Sequence, residues 1–278
     1  MENILLLTDF SENARNAMHY AHHLFKGKTI NFFILHTKTP ASYTTDDLML
    51  AGDDSLYNLM FKEAKAKLDD SVLEFKKTYK ENNFTYDTLV DYDVITDAIK
   101  QAILSNKIDL VIMGSNGATG AKEIVFGSNT IQVIRKVNSP TLIIPEGFYY
   151  RAPKHILLPL DSEDTLDHQA FPTLISFAEK FNSKLHVLRV KTTNEIREQK
   201  DIDKELQTIK DCKTLDTTYK VIEGVPIEFA VSCYTQTHKI DITSLFVQKE
   251  PFFERLFTGS STLKITKDLR TPLLVLHT

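Results

Sequence analysis

The stretch Asn3-Ile4-Leu5-Leu6-Leu7-Thr8-Asp9 returns 152 positions later as His155-Ile156-Leu157-Leu158-Pro159-Leu160-Asp161, which sets Asp161 on Asp9. A short continuous apolar run closed by polar residues is what a strand buried on both faces requires. Sliding the chain by 132 aligns its other end. Ile108-Asp109 falls on Ile240-Asp241, Gly127-Ser128 on Gly259-Ser260, Thr130 on Thr262, and Pro140-x-Leu142 on Pro272-x-Leu274. The offsets differ because roughly twenty residues are missing from the middle of the second half, around the counterparts of the 40–54 loop and the helix after it. The pattern is that of one α/β unit duplicated.

Working outward, Ser11 is placed to cap a helix carrying Ala14, Met18, Ala21 and Phe25 at helical spacing, which Gly27 stops. Ile30–His36 reads as a second strand, Leu56–Tyr79 as a helix, Phe84–Val90 as a strand and Val94–Ser105 as a helix. The strand Ile108–Met113 leads through a glycine-rich loop to a helix over 128–137 and the strand Thr141–Ile144. Strands alternating with helices imply a parallel sheet covered on both faces. The expected fold is therefore α/β, as two tandem doubly wound five-stranded parallel sheets. Residues 1–146 form the first domain, 147–153 a proline-containing linker, and 154–278 the second domain.

Composition narrows the function. The 278 residues are 42% hydrophobic and 25% charged, which suits globular cores. No apolar run approaches the ~20 residues of a membrane span, and the amino terminus lacks a basic region before its apolar run. A soluble, cytoplasmic protein with no membrane partner is expected. Net charge is −4, and neither half has the basic excess that phosphate-backbone binding needs, so nucleic acid is not expected as a partner. Cys212 and Cys233 form no CxxC and read as reduced thiols.

The chemistry sits in Gly114-Ser115-Asn116-Gly117, nine further residues, and Gly127-Ser128. Glycines let backbone N–H groups approach an anion closely, and a helix beginning at Ser128-Asn129-Thr130 adds free donors and a partial positive charge. Ser128 or Thr130 can add a hydroxyl. The competing reading is a plain glycine turn capped by Ser128. There is no GxxxxGK[ST] string and no GxGxxG after the first strand, so neither a P-loop nor a dinucleotide site is indicated.

The spacing Gly114-x2-Gly117-x9-Gly127-Ser128 resembles the ATP-binding members of the universal stress protein family. So do Thr8-Asp9-Phe10-Ser11 at the first strand end, His36-Thr37 at the second, Asp109–Gly114, and Ser139–Ile144. The resemblance covers the whole chain as two tandem domains. It implies an adenine nucleotide ligand (ATP, AMP or ADP, with magnesium as a companion ion) and a nucleotide-dependent role in stress response. Asp9, beside Thr8, would then lie at the ribose and the backbone of Thr37 at the adenine edge. Gly114 and Ser115 would line the ribose, Gly117, Gly127, Ser128, Asn129 and Thr130 would hold the phosphates, and Met113 would also belong to the nucleotide site. The sequence departs from the family at Tyr92-Asp93-Val94, where Gly-x-Pro is common. The family also implies pairing of the two domains through their last strands, with a homodimer of the tandem left open.

The second half keeps Asp161 and Gly259-Ser260 but has Phe246 and Lys249 in place of Gly114 and Gly117, side chains that would fill a nucleotide's space. Only the first domain is expected to bind. His19, His22 and His23 share a helical spacing that could ligate a metal, yet nothing completes a set, and a structural or surface role is expected. Asp161, Asp164, Asp167 and His168 read as acids at a helix start. No nucleophile–base pair or acid–base couple is visible, so no catalytic residue is assigned. The alternatives are a scaffold without nucleotide and, more weakly, a slow ATP hydrolase.

Overall fold

The computed structural model describes residues 1–38, 53–80, 82–115, 126–161, 164–166, 169–191, 199–212, 214–247 and 271–278. These divide into two compact units, one ending at Ser139 and the other running from Pro140 to Thr278.

Unit 1 contains β1 (Glu2–Thr8), α1 (Glu12–Leu24), β2 (Ile30–Thr37), α2 (Asp53–Thr78), β3 (Phe84–Asp91), α3 (Ile95–Asn106), β4 (Leu110–Gly114) and α4 (Ser128–Lys136). The strands lie in the order β3-β2-β1-β4 and every pair is parallel. Strands β1 and β4 are continuous apolar runs because both faces are covered, whereas strand β3 alternates between half-buried and exposed residues in its first half. Ser11 caps α1 as expected, its Oγ accepting the Ala14 N–H at 3.2 Å.

Unit 2 contains β5 (Thr141–Ile144), β6 (His155–Leu160), α5 (Ala170–Lys180), β7 (Lys184–Lys191), α6 (Gln199–Asp211), β8 (Thr217–Glu223), α7 (Ile227–Thr237), β9 (Ile242–Val247) and β10 (Leu273–His277). Its strand order is β5-β10-β9-β6-β7-β8. The pairs are parallel except β5–β10, which is antiparallel with Leu274 opposite Leu142. The order β8-β7-β6-β9 repeats the β3-β2-β1-β4 order of unit 1. The α/β class and the parallel, helix-covered arrangement stand. β5, the last strand expected in the first sheet, is counted with unit 2, where it bonds β10. A four-residue strand buried along its whole length needs a hydrogen-bonding edge, and β10 supplies one. The shortening read from the two offsets is visible as well, since α2 has 26 residues and α6 has 13.

The three histidines of α1 do not converge on a metal. His22 is fully buried with its ring stacked on those of Phe75 and Tyr79, at centroid distances of 4.5 and 4.4 Å. Its Nδ1–H donates to Met18 O at 2.6 Å, and its Nε2 accepts from the Tyr86 hydroxyl at 2.9 Å. Burial pushes its pKa down to about 3, so it is a neutral core residue. His19 bonds the Tyr79 hydroxyl at 2.8 Å. Among the described residues no group of His, Cys, Asp or Glu is arranged to hold a metal, and no helix is long and apolar enough to cross a membrane.

Candidate functional site

β1 lies between β2 and β4, so the connections leave it on opposite sides and a crevice opens at the carboxyl ends of these strands. The chain is turned sharply there. Phe10 takes a left-handed φ of 64°, and its N–H is held by Thr8 Oγ1 at 3.0 Å. Asp9 Oδ1 accepts the Ser11 N–H at 2.9 Å, an Asx turn that hands the chain to the α1 cap. His36, at the end of β2, donates from Nδ1 to Thr8 O at 2.9 Å, and its ring lies 4.4 Å from that of Phe10. Burial lowers the His36 pKa, so this bond ties the two strand ends with a neutral imidazole.

The crevice is a cleft of about 410 Å³. Of the residues singled out from sequence, Thr8, Asp9, Thr37, Met113, Gly114, Gly127, Ser128, Asn129 and Thr130 line it. Ser115 is buried beside it, and its Oγ has no hydrogen-bond partner among the described residues. Gly117 lies outside the described residues. Four apolar wall residues escaped the sequence reading: Leu7, Ala14, Leu35 and Ile95. Leu7 and Leu35 are neighbours of the strand-end residues already named. Ala14 was visible as the first member of the α1 stripe, but Ile95 carried no signal.

α4 begins at the cleft without a side-chain cap, since its N-cap is Gly127. The Gly127 N–H donates to Ser115 O at 2.9 Å, which fixes the helix start against the end of β4. The first-turn N–H groups of an α-helix have no acceptor within the helix, so those of Ser128, Asn129 and Thr130 form an anion-seeking cradle. The hydroxyls divide their work. Thr130 is buried and donates to Ser115 O at 2.8 Å, so its proton clamps the loop and is not available to a ligand. Ser128 is exposed at the helix start and remains the hydroxyl donor of the pair. Gly114 has a packing role besides. A Cβ there would lie 2.7 Å from Asn13 Nδ2 and 3.1 Å from Asn13 O, so only glycine lets α1 pack this closely on β4.

The same end of unit 2 is built differently. Phe246, the counterpart of Gly114, is buried in β9, while Lys249 and Gly259-Ser260 lie outside the described residues. Arg189 faces Leu160 across β6–β7 as His36 faces Thr8 across β1–β2. It is fully buried and donates to Asp161 O, to Asp164 O at 3.0 Å and to the Glu205 carboxylate. Tyr219 donates its hydroxyl to Glu205 Oε2 at 2.8 Å. The reading of Asp161 and Asp164 as helix-start acids is corrected here. α5 begins only at Ala170 with no acid in its first turn, and both aspartates are buried around the guanidinium. Asp167 and His168 lie outside the described residues. The sequence signal was present but unread: an arginine inside an apolar strand has to find buried acids.

The family model described as the universal stress protein family matches residues 1–145. Universal stress protein MJ0577 of Methanocaldococcus jannaschii is 28% identical over 156 residues, which make up 51% of this chain and 94% of that protein. The crystal structure of a universal stress protein from Archaeoglobus fulgidus superposes with a TM-score of 0.69 at 16% identity. It covers 99% of this chain and 96% of that chain, a likeness of fold.

Proposed function

The chain belongs to the universal stress protein family, and from that premise we propose that its first half binds an adenine nucleotide and signals its occupancy in a stress response. The observation that carries this is the cleft itself, with an uncapped helix start at one side and apolar walls at the other. About 410 Å³ falls within the usual range for a small-molecule site. Leu7, Ala14, Leu35 and Ile95 suit the flat faces of a base, with Thr37 at its edge. Asp9 and the ends of β1 and β4 suit a ribose, and the α4 amides with Ser128 suit phosphates. The orphaned Ser115 Oγ fits a site completed by a ligand.

In this reading residues 1–146 are the binding domain, 147–153 a linker and 154–278 a domain that has lost the site. Phe246 supports the loss, because it buries a bulky side chain at the strand end where the first half has Gly114. The test is calorimetric titration of the full chain with ATP, ADP and AMP, beside mass analysis of nucleotide released from the purified protein. One nucleotide per chain is expected. No binding would leave the scaffold reading, and two per chain would overturn the assignment of the second half.

A further inference from the structure

The amino ends of β6, β7 and β8 carry a histidine cluster that the nucleotide reading does not use. His155 opens β6 opposite Lys184, and His186 lies two residues further along β7, opposite Thr218 of β8. Alternate residues of a strand share a face, so Lys184 and His186 point the same way, as do Thr218 and Lys220. Tyr234 of α7 packs on this face, and His238 follows the last turn of that helix. His155 Nδ1 lies 3.0 Å from His186 Nε2. His186 Nδ1 lies 3.0 Å from the Tyr234 hydroxyl and 3.3 Å from Thr218 Oγ1. Lys220 Nζ lies 3.0 Å from Nε2 of His238, whose ring stacks on Tyr234 at a centroid distance of 3.9 Å.

Two of these bonds need a basic ring nitrogen. An ammonium only donates, so Lys220 is the donor and His238 Nε2 the acceptor, on a neutral ring. The contact between His155 and His186 holds one proton, so one ring donates and the other accepts. With both rings protonated, N–H would face N–H across 3.0 Å. We propose that the cluster is an acid-sensitive clasp: neutral His186 and His238 hold the carboxyl end of α7 on β7 and β8, and their protonation releases it. The groups facing His186 are His155 of β6, Lys184 of β7, Thr218 and Lys220 of β8, Tyr234 of α7, and His238. None of them is an acid. Asp216 pairs with Lys184 at 3.1 Å, and Asp241 accepts the main-chain N–H groups of Lys154 and His155, each at 3.0 Å. Among the described residues no carboxylate bonds any of the three rings to offset an added positive charge.

Burial, with the neighbouring charges of His155, Lys184, His238 and Lys220 after it, lowers the His186 pKa from 6.5 to about 4. A group whose pKa is depressed in the closed form takes its proton more readily once open. The clasp is therefore fully held above pH 6.5 and is lost as pH falls toward 4. His22 of unit 1 shifts in the same direction, so the test compares proteins that share it. The double variant H186F/H238Q serves for this. It removes both titrating rings, fills the His186 position with a ring, and keeps an acceptor for Lys220.

Two measurements on the full chain test the clasp. In protein labelled with 15N at its imidazoles and assigned through the backbone, a coupling across the hydrogen bond should join His155 Nδ1 to His186 Nε2 near pH 7. Hydrogen exchange of α7, corrected for intrinsic rates, should give an opening constant that rises about tenfold per pH unit between about pH 6 and pH 5. The same helix in H186F/H238Q should stay level over that range. Absence of the coupling, or parallel exchange profiles in the two proteins, would overturn the proposal. If the variant fails to fold, the unmutated chain decides alone through α7 and β9. A tenfold rise in α7 with β9 unchanged supports the clasp, whereas a rise in both or in neither overturns it.

Discussion

Replacing Ser128 by Asp sets fold and binding against each other. Ser128 is the first residue of α4, is exposed, and faces the cleft in a helix with no acidic residue in its first turn. A carboxylate there meets the positive end of the helix dipole and should raise stability by about 0.3–1 kcal/mol. A phosphate seated on the same amides would meet that carboxylate at roughly 4 Å. The repulsion at that distance is about 1 kcal/mol in water and about 4 kcal/mol at an effective dielectric of 20. An intermediate value of about 2 kcal/mol weakens ATP binding roughly thirtyfold. Adenosine, which has no phosphate, should bind S128D and the parent protein alike. S128A, which loses one neutral hydrogen bond, should cost about 1 kcal/mol, or roughly fivefold. The assay is calorimetric titration with ATP and adenosine, with thermal denaturation followed by far-UV circular dichroism. If ATP binds S128D as tightly as the parent, or if adenosine and ATP weaken together, the phosphates do not sit on α4.

Two further outcomes follow from packing. G114A places its Cβ 2.7 Å from Asn13 Nδ2 and 3.1 Å from Asn13 O, and should destabilise unit 1 by about 1–3 kcal/mol. Adding N13A should recover part of the loss in urea denaturation, and a G114A protein as stable as the parent would contradict the close approach of α1 to β4. His22 has its pKa depressed from 6.5 to about 3, so the stability it confers is full above pH 6.5 and is lost as pH falls toward 3. The loss between pH 7 and pH 5 should be about 2 kcal/mol, read from urea midpoints. The double variant H22F/Y86F, which removes both hydrogen-bonding partners, should flatten that slope, and a His22 ring titrating near pH 6.5 by proton NMR would refute the burial argument.

Much of the site was legible because its signals are local. Ser11 announces α1 by standing one position before it, and the glycine spacing from Gly114 to Gly127 announces a turn into a helix start. The cleft gathers the strand ends that the pattern of β1, β2 and β4 located. Other features have no local trace. Ile95 enters the wall only because α3 begins at the cleft. The hydroxyl of Thr130 could serve a ligand or the backbone, and only its distance to Ser115 O assigned it to the backbone. Gly114 looked like a ligand-facing glycine, and its contact with Asn13 shows that it also answers to α1.

The sequence by itself determined the repeated pattern, the alternation of strands and helices and the capping of α1, and marked the place where an anion site is proposed. Each is written in spacing along a few residues, where backbone geometry fixes which side chains share a face. Tertiary structure alone decided that His22 is a core residue and that Asp161 and Asp164 belong to a buried cluster. Those outcomes depend on groups far apart in the chain. Asp164 and Arg189 meet only because β6 and β7 lie side by side, and the energy of a charge is set by what surrounds it after folding.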